Sequence, residues 1–168
     1  PDCVGAHLDP TLALAPPPTP MDTSPSPARA QSATQPQLRT VLLCDLVDST
    51  AMVERLGDAR STELIRRHDR LVRQLLAEHG GRGIDKSDGF LALFDRPIQA
   101  VGFAIAYQRE LRTLGNAEGV PLSARTGIHV GDVLLWDNTP EDVAAGAKPV
   151  EVEGLAKPVA ARLMNLAL

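Results

Sequence analysis

The stretch Thr40-Val41-Leu42-Leu43-Cys44-Asp45-Leu46-Val47-Asp48-Ser49-Thr50 decides how the rest of the chain is read. Thr40 to Cys44 is an uncharged run of β-prone and apolar residues, which predicts a buried strand. The run stops at a carboxylate, Asp45. Leu46 and Val47 come next, then a second carboxylate, Asp48. Ser49 and Thr50 stand just ahead of a periodic apolar segment, the place of a helix N-cap. The order is strand, acidic tip, tight turn, helix start. A helix N-terminus presents unpaired N–H groups and the positive end of the dipole, which suits a phosphate. A carboxylate in the same place repels a phosphate unless a cation lies between them. The stretch therefore fits a magnesium-assisted nucleotide site. It fits equally a core strand closed by a surface turn.

Composition narrows the classes. With 168 residues, 43% of them hydrophobic, one domain with an adequate core is expected. A formal charge of −4 argues against a general nucleic-acid binder, and 3% aromatic residues leave no stacking platform for single strands. Two cysteines, Cys3 and Cys44, make neither a disulfide framework nor a zinc cluster. No apolar run approaches the length of a membrane span, and residues 11–15 lack the basic flank of a signal peptide. A reducing, cytoplasmic setting without membrane partners is the expectation.

Residues 1–38 differ in character from the remainder of the chain. They hold nine of the fourteen prolines and one glycine. Runs such as Pro16-Pro17-Pro18-Thr19-Pro20 exclude helix and central strand and bring little apolar mass, so a disordered Pro/Ser/Ala-rich leader is expected. Met21 is a candidate start by position. A domain is expected over 39–168. Residues 51–79 read as helix, with Leu64, Ile65, His68, Leu71, Val72, Leu75 and Leu76 at helical spacing and Asp58 or Ser61 as a second cap. His68 on that stripe reads as a partly buried structural histidine. Gly80-Gly81 ends the helix. Arg82–Ser87 and Phe90–Asp95 read as strands around the turn signal Asp88-Gly89. Pro97 opens a helix to about Leu114, with Ile98, Val101, Ile105 and Leu111 on one face. Strands over Leu122–Val130 and Asp132–Trp136, a capped turn at Thr139-Pro140-Glu141-Asp142, a strand over Val150–Val152 and a helix from Pro158 to the end complete the order.

That order predicts an α+β fold: a ferredoxin-like βαββαβ core, an antiparallel sheet with helices packed on it. In such a core strands one and three are antiparallel neighbours. Asp45 at the end of the first and Asp88 at the start of the third then meet at one edge. Paired carboxylates there can hold two magnesium ions against a triphosphate. Taken alone, Asp88 is more simply a turn-forming Asp before Gly.

Four motifs in this order resemble the class III nucleotidyl cyclase catalytic domain, the adenylate/guanylate cyclase family. They are Asp45-Leu46-Val47-Asp48-Ser49-Thr50, Ser87-Asp88-Gly89-Phe90, Arg125-Thr126-Gly127-Ile128-His129-Val130-Gly131, and Gly154 through Ala160-Ala161-Arg162-Leu163. The resemblance runs from about residue 39 to 168, and because the family has two further strands after the last helix, it implies a domain incomplete at its C-terminus. It also implies an activity: ATP converted to 3′,5′-cyclic AMP and pyrophosphate in a head-to-tail homodimer. Asp45, Asp88 and the Leu46 carbonyl would hold two Mg²⁺ or Mn²⁺ ions per site. Backbone groups of Val47, Asp48, Ser49 and Thr50 would bind phosphate. The other chain would bring Arg162 as the catalytic cation and Lys86 and Glu151 to read the base.

Three departures qualify that implication. Pro158 stands where the family has a ribose-positioning asparagine. The base-reading lysine belongs at Ile84, while Lys86 stands two residues on, a shift that preserves strand parity and displaces the side chain by ~7 Å. Glu151 occupies the remaining base-reading position and accepts from an adenine amino group but offers nothing to a guanine carbonyl. A non-catalytic nucleotide-binding or dimerisation module is therefore the alternative. A palm-type diguanylate cyclase would need a G-G-D/E-x-F signature, which the sequence lacks.

Overall fold

Strand β1 (Gln37–Leu46) organises the sheet because its side chains are buried on both faces: Val41 and Leu42 are 0% exposed. The computed structural model describes residues 35–86 and 89–167. The expected leader up to residue 34, the metal candidate Asp88, its neighbour Ser87 and Leu168 lie outside them. Gln37 and Leu38, expected in the leader, belong to β1.

After β1 come α1 (Ser49–Leu56), α2 (Asp58–His79), β2 (Arg82–Asp85), β3 (Phe90–Phe94), α3 (Pro97–Glu118), β4 (Ala124–Asp137), α4 (Pro140–Ala144), β5 (Val150–Glu153) and α5 (Ala156–Leu166). The strands form one antiparallel sheet in the order β2-β3-β1-β4-β5. Its first four members have the ferredoxin-like order that the sequence predicts. The sheet curls until its edge strands approach each other. Lys148 Nζ lies 2.5 Å from Asp85 Oδ2, and Arg82 Nη2 lies 3.0 Å from Asp137 Oδ1.

Alternation along β1 and β3 builds a core on each face. Leu42, Cys44, Phe90, Ala92 and Phe94 pack under α2 and α3, against Leu64, Val72, Phe103, Tyr107 and Leu111. Val41, Leu91 and Leu93 pack with Val133, Val152 and the alanines of α5, Ala156 and Ala160.

Several local expectations change. The two strands expected around Gly131 are one, β4: Gly131 sits in the ladder opposite Arg39. The length of β4 lets it pair with β1 and then, from Leu134 to Asp137, with β5. Ile98, Val101 and Ile105 of α3 are 72%, 41% and 65% exposed. The inner face carries Ala100, Phe103, Ala106, Tyr107, Leu111 and Leu114 instead. Aliphatic residues surround α3, so spacing alone selected the wrong stripe; two aromatic rings flanked by alanines fill the space above β3. The turn at Thr139 forms as expected, with its hydroxyl accepting from the Asp142 amide.

Helix α5 lies close on β4 because Gly127 has no side chain. A methyl group there would collide with the Ala160 carbonyl and the Met164 amide, both backbone atoms of α5. Gly127→Ala is expected to destabilise the fold by about 1–3 kcal/mol, the range for overpacking a close contact. Urea unfolding measures this; an unchanged midpoint would mean that α5 does not seat here.

Candidate functional site

The β1–α1 junction explains why Asp45 is available. Cys44 pairs with Phe90 across the β1–β3 ladder and with Thr126 across β1–β4, so Asp45 sits where β3 begins. Gly89 turns with φ +87°, and a side chain on it would collide with the Cys44 carbonyl. The missing Cβ lets the hairpin lie directly on the Asp45 backbone, 3.1 Å from where that Cβ would stand to the Asp45 Cα. The carboxylate of Asp45 is 32% exposed and accepts a 3.0 Å hydrogen bond from Arg125 Nη2 on β4. Arg125 stands in a sequence motif that by itself assigns it no role; its register opposite Asp45 supplies one. Its Nε is buried with no hydrogen-bond partner among the described residues.

The turn into α1 is built differently from the expectation. Asp48, rather than Ser49 or Thr50, is the N-cap. It takes a left-handed conformation, φ 53° and ψ 35°, the only non-glycine residue with positive φ among those described. Aspartate tolerates this region better than most residues, yet it still costs of the order of 1 kcal/mol. The Val47 amide donates to the Ser123 carbonyl at 2.9 Å. The amides of Ser49 and Thr50, in the first turn of an α-helix, have no intrahelical acceptor.

A cavity of about 300 Å³ on the α2 side of the sheet is lined by Asp45, Leu46, Ser49, Ile65, His68, Asp69, Lys86 and Tyr107. Strand alternation turns the Asp45 and Arg125 side chains to the α5 side, because Cys44, Leu46 and Ala124 beside them pack under α2 and α3. His68 Nε2 lies 2.7 Å from the Tyr107 hydroxyl, and its side chain is 13% exposed. Burial lowers its pKa, with Asp69 opposing and Lys86 reinforcing the shift, so the ring is neutral at pH 7. The expected structural role of His68 fits that arrangement. Burial likewise pushes the Cys44 thiol up to about 11, leaving it an inert core group.

Lys86 belongs to this cavity. Its ammonium lies 3.0 Å from Asp69 Oδ2 on α2. Ile84 packs on the other face, with the cluster beneath α5. The parity expected of Ile84 and Lys86 therefore fails. The β2–β3 register shifts between Gly83 and Asp85, and one extra residue reverses which face the next side chain meets. Sequence reasoning misses Asp69 because nothing in α2 sets it apart from the other charges of that helix.

Glu151 lies half-buried on β5 opposite Trp136. Lys148 stands near it and is held protonated above its usual pKa, first by the Asp85 carboxylate and secondarily by Glu151 and Glu153. Arg162 is exposed on α5 and does not line the Asp45 cavity. Helix α5 starts two residues before the expected Pro158, which sits in its first turn, where the missing N–H has no helical acceptor to lose. Pro158 lines a separate groove of about 540 Å³ with Leu43, Asp85, Glu153 and Lys157 on the α5 side of the sheet. The oxygen donors at Asp45 and Leu46 suit a hard divalent cation. Among the described residues no group of three or more His, Cys, Asp or Glu side chains gathers. No helix among them is long and apolar enough to cross a membrane.

No family model matches the chain. Over 126 residues it is 32% identical to the serine/threonine-protein kinase pkn2 of Myxococcus xanthus, a match that takes in 72% of this chain and 14% of that protein's length. Among solved structures it is similar to the adenylyl cyclase CyaB of P. aeruginosa, with a TM-score of 0.68 and 20% identity over 80% of this chain and 75% of that one. It is also similar to an adenylate/guanylate cyclase/hydrolase from Silicibacter pomeroyi, with a TM-score of 0.61 and 25% identity over 80% of this chain and 72% of that one. The described residues have the fold of a class III nucleotidyl cyclase catalytic domain.

Proposed function

We propose that this domain is a nucleotidyl cyclase that uses ATP and works as a head-to-tail homodimer. The observation that carries this reading is the Asp45 carboxylate at the β1 tip, paired with Arg125 across the ladder and followed directly by the turn into α1, within a cyclase fold. A divalent cation held by Asp45, the Leu46 carbonyl and Asp88 would supply charge neutralisation for a triphosphate there. Mg²⁺ and Mn²⁺ both suit oxygen donors, and two per site matches two carboxylates against three phosphates. The amides of Ser49 and Thr50 and the exposed end of the Arg125 guanidinium would take phosphate oxygens.

In the reaction the ribose 3′-oxygen bonds to the α-phosphorus, the bond from that phosphorus to the bridging oxygen breaks, and pyrophosphate leaves with the electron pair. The hydroxyl proton passes to solvent. Arg162 would stabilise the charge that accumulates on the phosphorus oxygens. Its exposure on α5 supports its being available to a nucleotide held by the partner subunit.

Glu151 would accept a hydrogen bond from the adenine amino group, and a guanine carbonyl at that position would be repelled. Incubation of the 168-residue chain with Mn²⁺ and ATP or GTP, followed by mass analysis, is expected to yield cyclic AMP in preference to cyclic GMP. Glu151→Ala should erode that preference by about tenfold in kcat/KM, the value of one base-specific hydrogen bond. A preference for GTP, or one indifferent to Glu151, would remove the residue from base recognition. Nucleotide binding without any cyclic product would favour the second reading, a non-catalytic module, which the ribose-side Pro158 supports.

A further inference from the structure

We propose that the cavity between α2 and the stem of the β2–β3 hairpin is a second binding site, for a small aromatic monocarboxylate that Lys86 holds by its charge. It lies on the opposite face of the sheet from the Asp45 carboxylate. The inference goes beyond the nucleotide reading and does not depend on it.

The cavity reaches the core, and its floor is aromatic. Val72, Phe90 and Tyr107 line it although all three are buried. Tyr107 meets His68 at 5.7 Å between ring centroids and Phe90 at 5.5 Å, both edge to face. A ring entering above them extends the same packing. Ile65 of α2 lines the cavity where it opens to solvent and is 43% exposed. Apolar walls with a few convergent polar groups are the usual make-up of a small-molecule site, and about 300 Å³ suits a ligand of one or two rings.

The polar end of the cavity selects the charge. The shift in the β2–β3 register turns Lys86 to this side of the sheet, opposite Ile84. Its ammonium lies 3.0 Å from Asp69 Oδ2, and Arg73 Nη1 lies 4.0 Å from the same oxygen. One carboxylate thus faces two cations, and the balance is positive. Asp69 engages one of the three Lys86 donors, and with 47% of that side chain exposed the other two remain available to a ligand. Asp45 points its charge to the α5 side. His68 is neutral, with Nε2 committed to the Tyr107 hydroxyl and Nδ1 no nearer than 3.9 Å to Asp69 Oδ1. Nδ1 therefore offers a second polar contact at the same end. A carboxylate on an aromatic body matches both halves of the cavity. A cation would meet Lys86 and Arg73, and a polyphosphate has no apolar part for the floor.

The probes are naphthoate and its uncharged amide, naphthamide. Each is titrated by calorimetry into the 168-residue chain and into Lys86→Met, Lys86→Arg and Ile65→Trp, with thermal melts confirming that each variant folds. Naphthoate should bind saturably, and naphthamide about tenfold more weakly, the worth of one charge-assisted hydrogen bond. Lys86→Met should weaken naphthoate by a similar factor, while Lys86→Arg should keep most of the affinity. Ile65→Trp should block it, because the larger side chain fills the opening without altering a charge. ATP added with Mn²⁺ should leave naphthoate binding unchanged. The inference is overturned if naphthoate does not bind the parent chain, or if naphthamide binds as tightly. It is overturned equally if Lys86→Met or Ile65→Trp binds naphthoate as the parent does. Displacement of naphthoate by ATP overturns it as well, since the cavity would then belong to the nucleotide site. A chain that shows the expected pattern and makes no cyclic nucleotide loses only the activity proposed above.

Discussion

Asp45→Asn should reduce cyclic nucleotide formation at least about a thousandfold, because it removes the negative charge that would hold a divalent cation against the phosphates. The fold should survive. Asparagine keeps an oxygen where Arg125 Nη2 now donates, and the ion pair is partly exposed on both sides. Surface pairs of this kind are worth about 1 kcal/mol or less, so the melting temperature should move little. Asp88→Asn should lose turnover to a similar extent, since the β1–β3 ladder brings the start of β3 beside Asp45. Rates measured in Mn²⁺ beside thermal melts distinguish a lost charge from a lost fold. Near-normal rates in both variants would refute the two-carboxylate assignment.

The β1 tip was legible because it depends on a local break in pattern. An uncharged strand can bury both faces only until the first carboxylate, and Asp45 marks where the sheet ends and the site begins. The glycine after Asp88 was legible as a turn for the same kind of reason, and Gly89 does adopt positive φ. Hairpin and helix order then fixed the sheet topology through short connections.

What stayed hidden depends on contacts remote in sequence. The register shift at Gly83–Asp85 reverses the face of Lys86, and Gly83 inside the strand is its one local sign. Asp69 became significant only through an ammonium 17 positions away, and Arg125 through a carboxylate 80 positions away. The face of α3 was misjudged because Ile98, Val101 and Ile105 are as apolar as the residues that pack beneath the helix. Periodicity cannot rank two apolar stripes; the volume above β3, filled by Phe103 and Tyr107, does.

The proposed division of the site between two chains yields the second large effect. Strand alternation turns the Asp45 carboxylate to the α5 side of the sheet, since Cys44 and Leu46 on either side of it pack under α2 and α3, and Arg162 is exposed on α5. In the proposed head-to-tail dimer, one chain supplies Asp45 and the other Arg162 to each nucleotide. Arg162→Ala should abolish turnover as Asp45→Asn does, by removing the charge that meets the transition state. Mixed dimers should then recover activity. In such a dimer one site combines Asp45 from the Arg162→Ala chain with Arg162 from the Asp45→Asn chain, and the other site carries both substitutions. With random pairing of equal amounts, half the dimers are mixed and each has one intact site, so about a quarter of the parental rate should return. The measurement is turnover before and after mixing, with mixed dimers verified by differential tagging and mass. A verified mixture as inactive as either variant alone would place each site within a single chain.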